Sequence, residues 1–263
     1  MVIVRQPAVA GSFYPAQEGQ LRAAIATYLN DVKTEPRAAR PKALIAPHAG
    51  YVYSGPIAAS VYSPLLPFAS ELERVILLGP SHRVPLRGLA APEAEAFATP
   101  LGMVPVDRDS VERVLGLPQV KLLESAHTAE HSLEVQLPFL QHILGSFSVV
   151  PFAVGEASPE EVAEVMEALW GGPETLIVVS SDLSHYYDYE TARRLDEATT
   201  RAIEALDPDG LDEESACGRT PVRGLLLAAR RHDLEVRTLD LRNSGDTAGP
   251  RDQVVGYGAY ALA

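Results

Sequence analysis

The amino-acid sequence predicts an α/β fold, a single domain over residues 1–263 with a central, mostly parallel or mixed sheet flanked by helices. Two observations predict this fold class. Largely apolar runs at 42–47, 74–79 and 175–179 show no polar alternation, which is typical of strands buried on both faces. Longer segments with apolar residues at helical spacing lie between such runs, and this alternation indicates helices packed against a sheet.

Periodicity, caps and turn residues locate the first elements along the chain. After an N-terminal arm, apolar residues recur every three to four positions and predict a helix over 18–32. Residues 34–41 form a polar linker, and the first core strand follows at 42–47. Ser54 as a cap and Pro56 as an early proline predict the start of the second helix.

The remaining chain continues the alternation, and its pattern leaves the strand order open. At 263 residues it is close to the upper limit for one hydrophobic core, so we expect one domain. Further strands are predicted at 75–78, 88–91, 102–106, 147–152, 175–179, 236–241 and 253–262, and further helices at 110–114, 132–144, 158–170, 190–205 and 222–231.

The composition is that of an ordinary soluble globular protein, with 46% apolar and 22% charged residues. No stretch approaches the roughly 20 apolar residues that cross a bilayer. Residues 1–7 lack the basic and apolar segments of a secretory signal, so we expect a cytoplasmic protein. A single cysteine rules out an internal disulfide and fits a reducing compartment.

The charge balance argues against two classes of partner. The chain has 22 basic and 35 acidic residues, a net charge of −13, which repels nucleic acid and anionic membranes unless a basic patch exists. The arginine pairs at 193–194 and 230–231 lie on predicted helices and are most simply solvated. We therefore expect neither nucleic acid nor a membrane as a partner.

Three histidines directly follow predicted buried strands. They are His48, His82 and His185. In an open α/β sheet, ligands bind outside the carboxyl ends of the strands, so side chains just past several strand ends converge. A lone histidine in such a place is usually a structural hydrogen-bonding partner, but the repeated placement predicts a shared site, most simply a metal site.

The only cysteine lies in a polar turn before a predicted helix. Together with His48 and His82, Cys217 makes a plausible three-ligand metal site with open positions. Backbone N–H groups at the helix start and the guanidinium of Arg219 are expected to lower the pKa of the thiol. The alternative is that Cys217 is a small buried apolar residue, as unpaired cysteines often are.

Asp182 and His185 lie three residues apart after the strand at 175–179. We interpret His185 as a catalytic acid or base, or as a hydrogen-bonding partner of a substrate oxygen. Asp182 then fixes the tautomer of that ring or acts as a further ligand. The alternative for Asp182 is a cap of the segment that follows.

A second histidine segment is expected to support this site. His127 and His131 stand four apart, but Ser132 has the character of a helix cap, which leaves both in a loop. We expect His131 or Glu134 to hydrogen-bond a ligand or substrate rather than to bind metal. Tyr51 either walls the pocket or packs in the core.

Six motifs, in order along nearly the full chain, resemble those of the Memo family, which is named for a mediator of cell motility. Its bacterial and archaeal members include the Memo part of the AmmeMemoRadiSam system. The motifs are AGSFYP at 10–15, APHAGY at 46–51, LGPSH at 78–82, EHSLE at 130–134, SSDLSH at 180–185 and CGRTP at 217–221.

The resemblance implies a fold like that of LigB-type class III extradiol dioxygenases, which hold non-haem Fe(II) with two histidines and a glutamate. By that likeness His48 and His82 match the histidines, and Cys217 replaces the carboxylate with a soft sulfur. The position of His185 matches the acid or base of those enzymes. Memo relatives are associated with iron and copper, and the animal protein also with phosphotyrosine peptides.

These observations predict a metal-binding, redox-type protein similar to the non-haem iron dioxygenases, with Fe(II) or Cu bound, Zn as an alternative, and no nucleotide cofactor. An oxidoreductase activity is one expectation. A second is a non-catalytic module that binds a small molecule or peptide in the crevice. A third is a partner subunit of a radical-SAM system, with radical-SAM and AMMECR-type proteins as partners.

Overall fold

The computed structural model describes residues 3–32 and 39–263, so residues 34–38 of the predicted linker lie outside the described residues. The strands are β1 Val4–Arg5, β2 Ala43–Ala46, β3 Arg74–Pro80, β4 Leu89–Ala91, β5 Ala96–Thr99, β6 Gly102–Pro105, β7 Val120–Leu122, β8 Ser148–Val154, β9 Thr175–Ser180, β10 His185–Tyr187, β11 Val236–Asn243 and β12 Val254–Leu262. The helices are α1 Glu18–Asn30, α2 Tyr51–Tyr62, α3 Arg108–Val114, α4 Ser125–Thr128, α5 Leu137–Leu144, α6 Pro159–Ala168, α7 Tyr189–Glu204 and α8 Arg219–Arg231.

The main sheet has a parallel centre and antiparallel edges, as the α/β prediction requires. Strands β2, β9, β3 and β8 lie side by side and run parallel. Their residues are almost all buried, which explains the unbroken apolar runs in the sequence. Beyond them, β12 pairs antiparallel with β2 on one side, and β4 pairs antiparallel with β8 on the other.

The last strand also brings two separate segments together. On one edge β12 pairs with β11. On its other edge, residues 260–262 pair with β2, and residues 254–255 pair with the short strand β10. Because β10 contains His185, this shared edge sets that histidine beside the carboxyl end of β2.

Helices flank the sheet in two packed groups. In one group α2 contacts α1 and α5 and covers β2, β11 and β12. In the other α8 packs on α6 and lies over β3 and β9. The buried apolar side chains of the sheet and both groups form one continuous cluster. Among the described residues, no helix is both long enough and apolar enough to cross a membrane.

Several predicted boundaries differ from the structure. Helix α2 begins at Tyr51, and Ser54 lies inside it with its hydroxyl on the carbonyl of Ala49. Helix α5 begins at Leu137, because the Ser132 hydroxyl donates to the Pro80 carbonyl instead of capping a helix. The periodicity did not predict the short strands β1, β5, β7 and β10 or the 3₁₀ segment Ser63–Glu71.

A buried ion pair ties the N-terminal arm to the loop before α5. The Arg5 guanidinium contacts the Glu134 carboxylate, and both side chains are almost fully buried. Arg5 also donates to the carbonyls of His127 and Glu130. The second oxygen of Glu134 accepts the N–H of Val9. Glu134 therefore stabilises the fold, whereas the sequence suggested that it supports the site directly.

We predict that Glu134→Gln lowers the free energy of unfolding by about 3 kcal/mol, because it leaves the buried Arg5 charge without its partner. Denaturant unfolding measures this change. The exposed Glu112→Gln is the control and should change the value by less than about 0.5 kcal/mol. Equal effects of the two substitutions would show that the buried pair contributes nothing to the free energy of unfolding.

A buried acid should make stability depend on pH. Asp196 on α7 accepts the N–H of Ser184, and burial raises the pKa of Asp196 to about 6. Its ordinary value is about 4, so between about pH 4 and 6 the folded state binds more protons than the unfolded state. The contribution of Asp196 to stability is therefore lost as the pH rises through that interval.

We predict that Asp196→Asn removes this loss and keeps the acceptor for Ser184. The free energy of unfolding of the variant, measured relative to wild type, should be about 2–3 kcal/mol higher at pH 7 than at pH 4. This is the value expected when a pKa is raised by about two units. Denaturant unfolding at both pH values measures the gain. The same difference between variant and wild type at pH 4 and pH 7 would contradict the pKa argument.

Candidate functional site

The strand order explains why distant residues meet. Strands β2, β9 and β3 are neighbours and parallel, so their carboxyl ends lie at one edge of the sheet. His48, Asp182 and His82 each lie two residues beyond the end of one of these strands. The chain therefore delivers three polar side chains to the same edge from positions far apart in sequence.

Three histidine rings meet at this edge. The ring centroids of His48 and His82 are 5.2 Å apart, those of His48 and His131 5.5 Å, and those of His82 and His131 4.8 Å. Each ring offers one nitrogen, and these nitrogens all lie within 4.8 Å of one another. Imidazole nitrogen is a ligand for Fe, Cu, Zn and Ni, so the cluster can hold a transition-metal ion.

The ring of His48 is fixed in one tautomer. Its backbone N–H donates to Asp182 Oδ1 at 2.7 Å, and its Nδ1 lies 2.9 Å from Ser180 Oγ. The Ser180 hydroxyl donates its only proton to the Ser132 carbonyl at 2.6 Å and accepts from Gln136 Nε2 at 2.7 Å. His48 Nδ1 must therefore be a donor, which leaves the lone pair on Nε2 for a ligand.

One carboxylate orients the other two histidine segments. Glu130 Oε2 accepts the backbone N–H of His82 at 2.6 Å. Glu130 Oε1 lies 2.9 Å from His82 Nδ1 and accepts the backbone N–H groups of His131 and Ser132, each also at 2.9 Å. His82 Nδ1 is thus the protonated nitrogen, and the lone pair lies on Nε2. Metal-binding histidines are commonly held by such a carboxylate.

His131 has a buried nitrogen that protein groups leave unsatisfied. Its Nδ1 is 3.3 Å from Glu130 Oε1, which is an ion-pair distance, but it makes no hydrogen bond within the described residues. Its ring also packs against Phe13, with centroids 4.8 Å apart. His127 and His142 also have a buried Nδ1 without a hydrogen bond, so it is the approach of His131 to the other two rings that marks it as a candidate ligand.

The protonation states of these groups suit cation binding. Burial lowers the pKa of His48 to about 3 and that of His131 to about 4, so both rings are neutral at pH 7. Burial alone would raise the pKa of Glu130, but hydrogen bonds from the His82 ring and from backbone N–H groups lower it to about 2. His48 and His131 are therefore neutral rings, and Glu130 beside His131 is an ionised carboxylate.

Cys217 lies beside His48 and not at the centre of the cluster. Its Sγ is 3.2 Å from His48 Nε2 and accepts the N–H of Asp182 at 3.3 Å. Burial and the Asp182 carboxyl raise the pKa of the thiol, opposite to the sequence-based expectation. The guanidinium of Arg219, which was expected to lower this pKa, donates to Glu213 at 3.0 Å instead.

Two glycines allow the loops to approach this closely. A Cβ on Gly218 would lie 2.6 Å from Ser181 Cβ and 2.7 Å from the Ser180 carbonyl oxygen. A Cβ on Gly79 would lie 2.8 Å from Ser132 Oγ. A side chain at position 218 would push the segment that contains Cys217 away from the end of β9. A side chain at position 79 would push the segment that contains His131 away from the end of β3.

His185 lines the same cleft. Within the described residues no hydrogen bond joins it to Asp182, whose Oδ1 is taken by the backbone of His48. The expected tautomer control by Asp182 is therefore not seen. The Ser184 N–H is held by Asp196, which fixes the turn before His185. The ring contacts Tyr186, with centroids 5.7 Å apart.

The histidines form the floor of an open cleft of about 770 Å³. This volume is in the range of small-molecule sites. Its walls combine aromatic and acidic residues with backbone from several loops. The lining residues include Phe13, Tyr53, Tyr186, Tyr187, Glu213, Glu214 and Tyr257.

Some predicted site residues do not line this cleft. Tyr51 is buried in the core, with its hydroxyl on the carbonyl of Val135, and its neighbour Tyr53 lines the cleft instead. Arg219 is bound to Glu213 on the outside. His127 is a structural residue, because it is buried and its Nε2 lies 2.9 Å from the Ala90 carbonyl.

Sequence reasoning missed two residues that orient the histidines, Glu130 and Ser180. A signal for Glu130 was present, since it directly precedes His131 and a carboxylate beside a histidine is a common metal-site support. Ser180 gave no signal, because a serine at a strand end is ordinary. Its role depends on which carbonyl and which ring face it across the sheet.

Comparison with known proteins places these residues in a family. A family model described as Memo-like protein matches residues 5–261. A MEMO1 family protein of Thermotoga maritima is 38% identical over 275 residues, covering 96% of this chain and 97% of that protein. A MEMO1 family protein of Aquifex aeolicus is 37% identical over 269 residues, covering 97% of each chain.

The fold has a counterpart among solved structures. The crystal structure of an uncharacterized protein from Escherichia coli K12 matches with a TM-score of 0.54 and 13% sequence identity. The match covers 84% of this chain and all of that one. At that identity the likeness shows a shared mixed α/β fold.

We predict that Glu130→Gln weakens binding of Zn(II) by roughly 10- to 100-fold, because a glutamine has a single acceptor oxygen where Glu130 receives four N–H groups. Competition with a chromophoric chelator measures the affinity. Ser180→Ala removes the acceptor for His48 Nδ1 and should also weaken binding.

Thermal melting of the metal-free variants separates a binding defect from a folding defect. The remote Glu112→Gln serves as the matched control and should bind Zn(II) like wild type. Wild-type affinity in a folded Glu130→Gln variant would contradict the orienting role of this carboxylate.

Proposed function

We propose that this chain, which belongs to the Memo-like protein family, is a metal-dependent protein of redox type whose ion is held by His48, His82 and His131. The observation that carries the proposal is the approach of one nitrogen from each ring to within 4.8 Å of the others. The outer hydrogen bonds support it, since they leave His48 and His82 with a lone pair on the inner nitrogen.

Cys217 is the alternative or additional ligand. The distance of 3.2 Å between its Sγ and His48 Nε2 would allow both atoms to serve one ion. Sulfur with imidazole favours Cu(I), Zn(II) or Fe(II), and imidazole alone also suits these metals. When bound, such an ion supplies Lewis acidity, and iron or copper also supplies electron transfer.

The chain's own residues would manage the ligand and its protons. His185 lies in the cleft with no hydrogen bond to Asp182, so we assign it the role of proton donor or acceptor toward a bound ligand. Asp182 holds the backbone of His48 and so fixes the position of that ring. Phe13 packs on His131 and keeps water from one side of the cluster.

We predict about one equivalent of iron, copper or zinc per chain in protein purified without an affinity tag under anaerobic conditions. His48→Ala and His131→Ala should lose stoichiometric metal, because each removes one of the three nitrogens. Cys217→Ser should retain it with lower affinity. Mass spectrometry of metal content measures all three, and His232→Gln, on the surface, is the matched control.

The pattern of losses decides between the ligand sets. Metal lost in Cys217→Ser but retained in His131→Ala would replace the three-histidine set with His48, His82 and Cys217. If every variant retained its metal, both proposed ligand sets would be excluded. Protein that takes up no Fe(II), Cu(I) or Zn(II) would instead favour a non-catalytic binding module that uses the cleft alone.

A further inference from the structure

The mouth of the cleft differs in character from its floor. Tyr53 and Tyr186 are 40% and 71% exposed, so two large aromatic rings face solvent at the mouth. Tyr187 and Tyr257 line the same space. Tyr257 is almost fully buried in the wall, whereas Tyr53 and Tyr186 face solvent. Several tyrosine rings therefore surround the approach to the histidines.

The backbone of Tyr186 is held in a strained conformation. Its φ is +65°, a left-handed value that a bulky side chain rarely adopts. The neighbours on both sides, His185 and Tyr187, pair with β12, and the register shifts between them. Such a bulge re-aims a side chain, and bulges of this kind are common beside functional sites. The pairing of β10 thus constrains the backbone of Tyr186, whose exposed side chain lines the cleft.

The charge of the cleft walls is acidic. Glu213, Glu214 and Asp182 line the cleft, and among the described residues no lysine or arginine lines it. Arg219 neutralises Glu213 from outside. Glu214 is exposed beside Tyr187, and partial desolvation together with the Glu214 carboxylate raises the pKa of Tyr187. Glu214 thus lies beside Tyr187 in the wall of the cleft.

Tyrosine faces beside a carboxylate are the chemistry that binds organic ammonium ions. We infer that the cleft takes a small organic amine, with its ammonium group between the Tyr53, Tyr186 and Glu214 side chains. Its apolar body lies against Phe13 and points toward the histidines. The inference rests on the proposed function only for the inner end of the ligand, which reaches the metal site.

The same walls select against anions. A phosphate or carboxylate group at the mouth would meet Glu214 and find no lysine or arginine among the lining residues. Anion-binding sites in proteins are built from arginine, lysine or clustered backbone N–H groups. The phosphotyrosine peptides that the family resemblance suggests are therefore poorly matched to this cleft.

The test uses three probes of nearly equal size that differ in charge: phenethylamine, 2-phenylethanol and phenylacetate. Metal-free protein is titrated with each at pH 7 and low salt, and chemical shifts or heats give the dissociation constants. Metal-free protein is used first, because a bound ion would attract the carboxylate directly. The amine should bind several-fold more tightly than the alcohol, and phenylacetate should bind most weakly.

Two variants locate the effect. Glu214→Gln should weaken binding of phenethylamine by roughly 2- to 5-fold, which is the range of an exposed ion pair, and should leave the affinity for 2-phenylethanol unchanged. Tyr186→Leu keeps an apolar side chain without a π face and should also weaken the amine more than the alcohol. Glu112→Gln removes the same charge far from the cleft and should change neither.

The outcomes separate this inference from the metal assignment. Equal or tighter binding of phenylacetate than of phenethylamine, or an unchanged amine affinity in Glu214→Gln, would overturn the inference whatever the metal content. Amine selectivity in a protein that never takes up metal would sustain the inference for the mouth and defeat only the metal proposal. Repeating the titration with Zn(II)-loaded protein tests whether amine selectivity persists beside the ion.

Discussion

The carboxylate of Glu130 is the constraint on which the rest of the site depends. It receives four N–H groups from His82, His131 and Ser132, and so it joins the loop after β3 to the loop before α5. Buried donors of this kind are costly to leave unpaired, so the two loops have one favourable arrangement. That arrangement sets two of the three histidine rings and determines which nitrogen of His82 is available.

A second buried charge stabilises this loop from behind. Arg5 pairs with Glu134 and donates to the carbonyls of His127 and Glu130, while Glu134 accepts the N–H groups of Ala8 and Val9. Removing two charges from water is unfavourable unless further hydrogen bonds accompany the pair, and here both partners also bond backbone groups. The N-terminal arm therefore acts as a structural support for the histidine cluster.

Electrostatics divide the cleft into two zones. At the floor, burial keeps His48 and His131 neutral by lowering their pKa values, so the rings offer lone pairs and no positive charge. At the mouth, Glu214 and the exposed rings of Tyr53 and Tyr186 favour a cation over an anion. Both zones are acidic or neutral, in keeping with a chain of net charge −13.

The sequence by itself determined the fold class and the convergence of His48, His82 and His185 on one cleft, because buried parallel strands leave unbroken apolar runs and their ends meet at one edge. It could not determine hydrogen-bond partners across the sheet. Ser132 resembled a helix cap, yet its hydroxyl donates to the Pro80 carbonyl at the end of β3. The preceding residue, His131, lies in the histidine cluster. Short strands such as β10 depend on pairing with β12 and have no periodicity of their own. Only the tertiary structure decided these points, since each one depends on which distant backbone group faces a side chain.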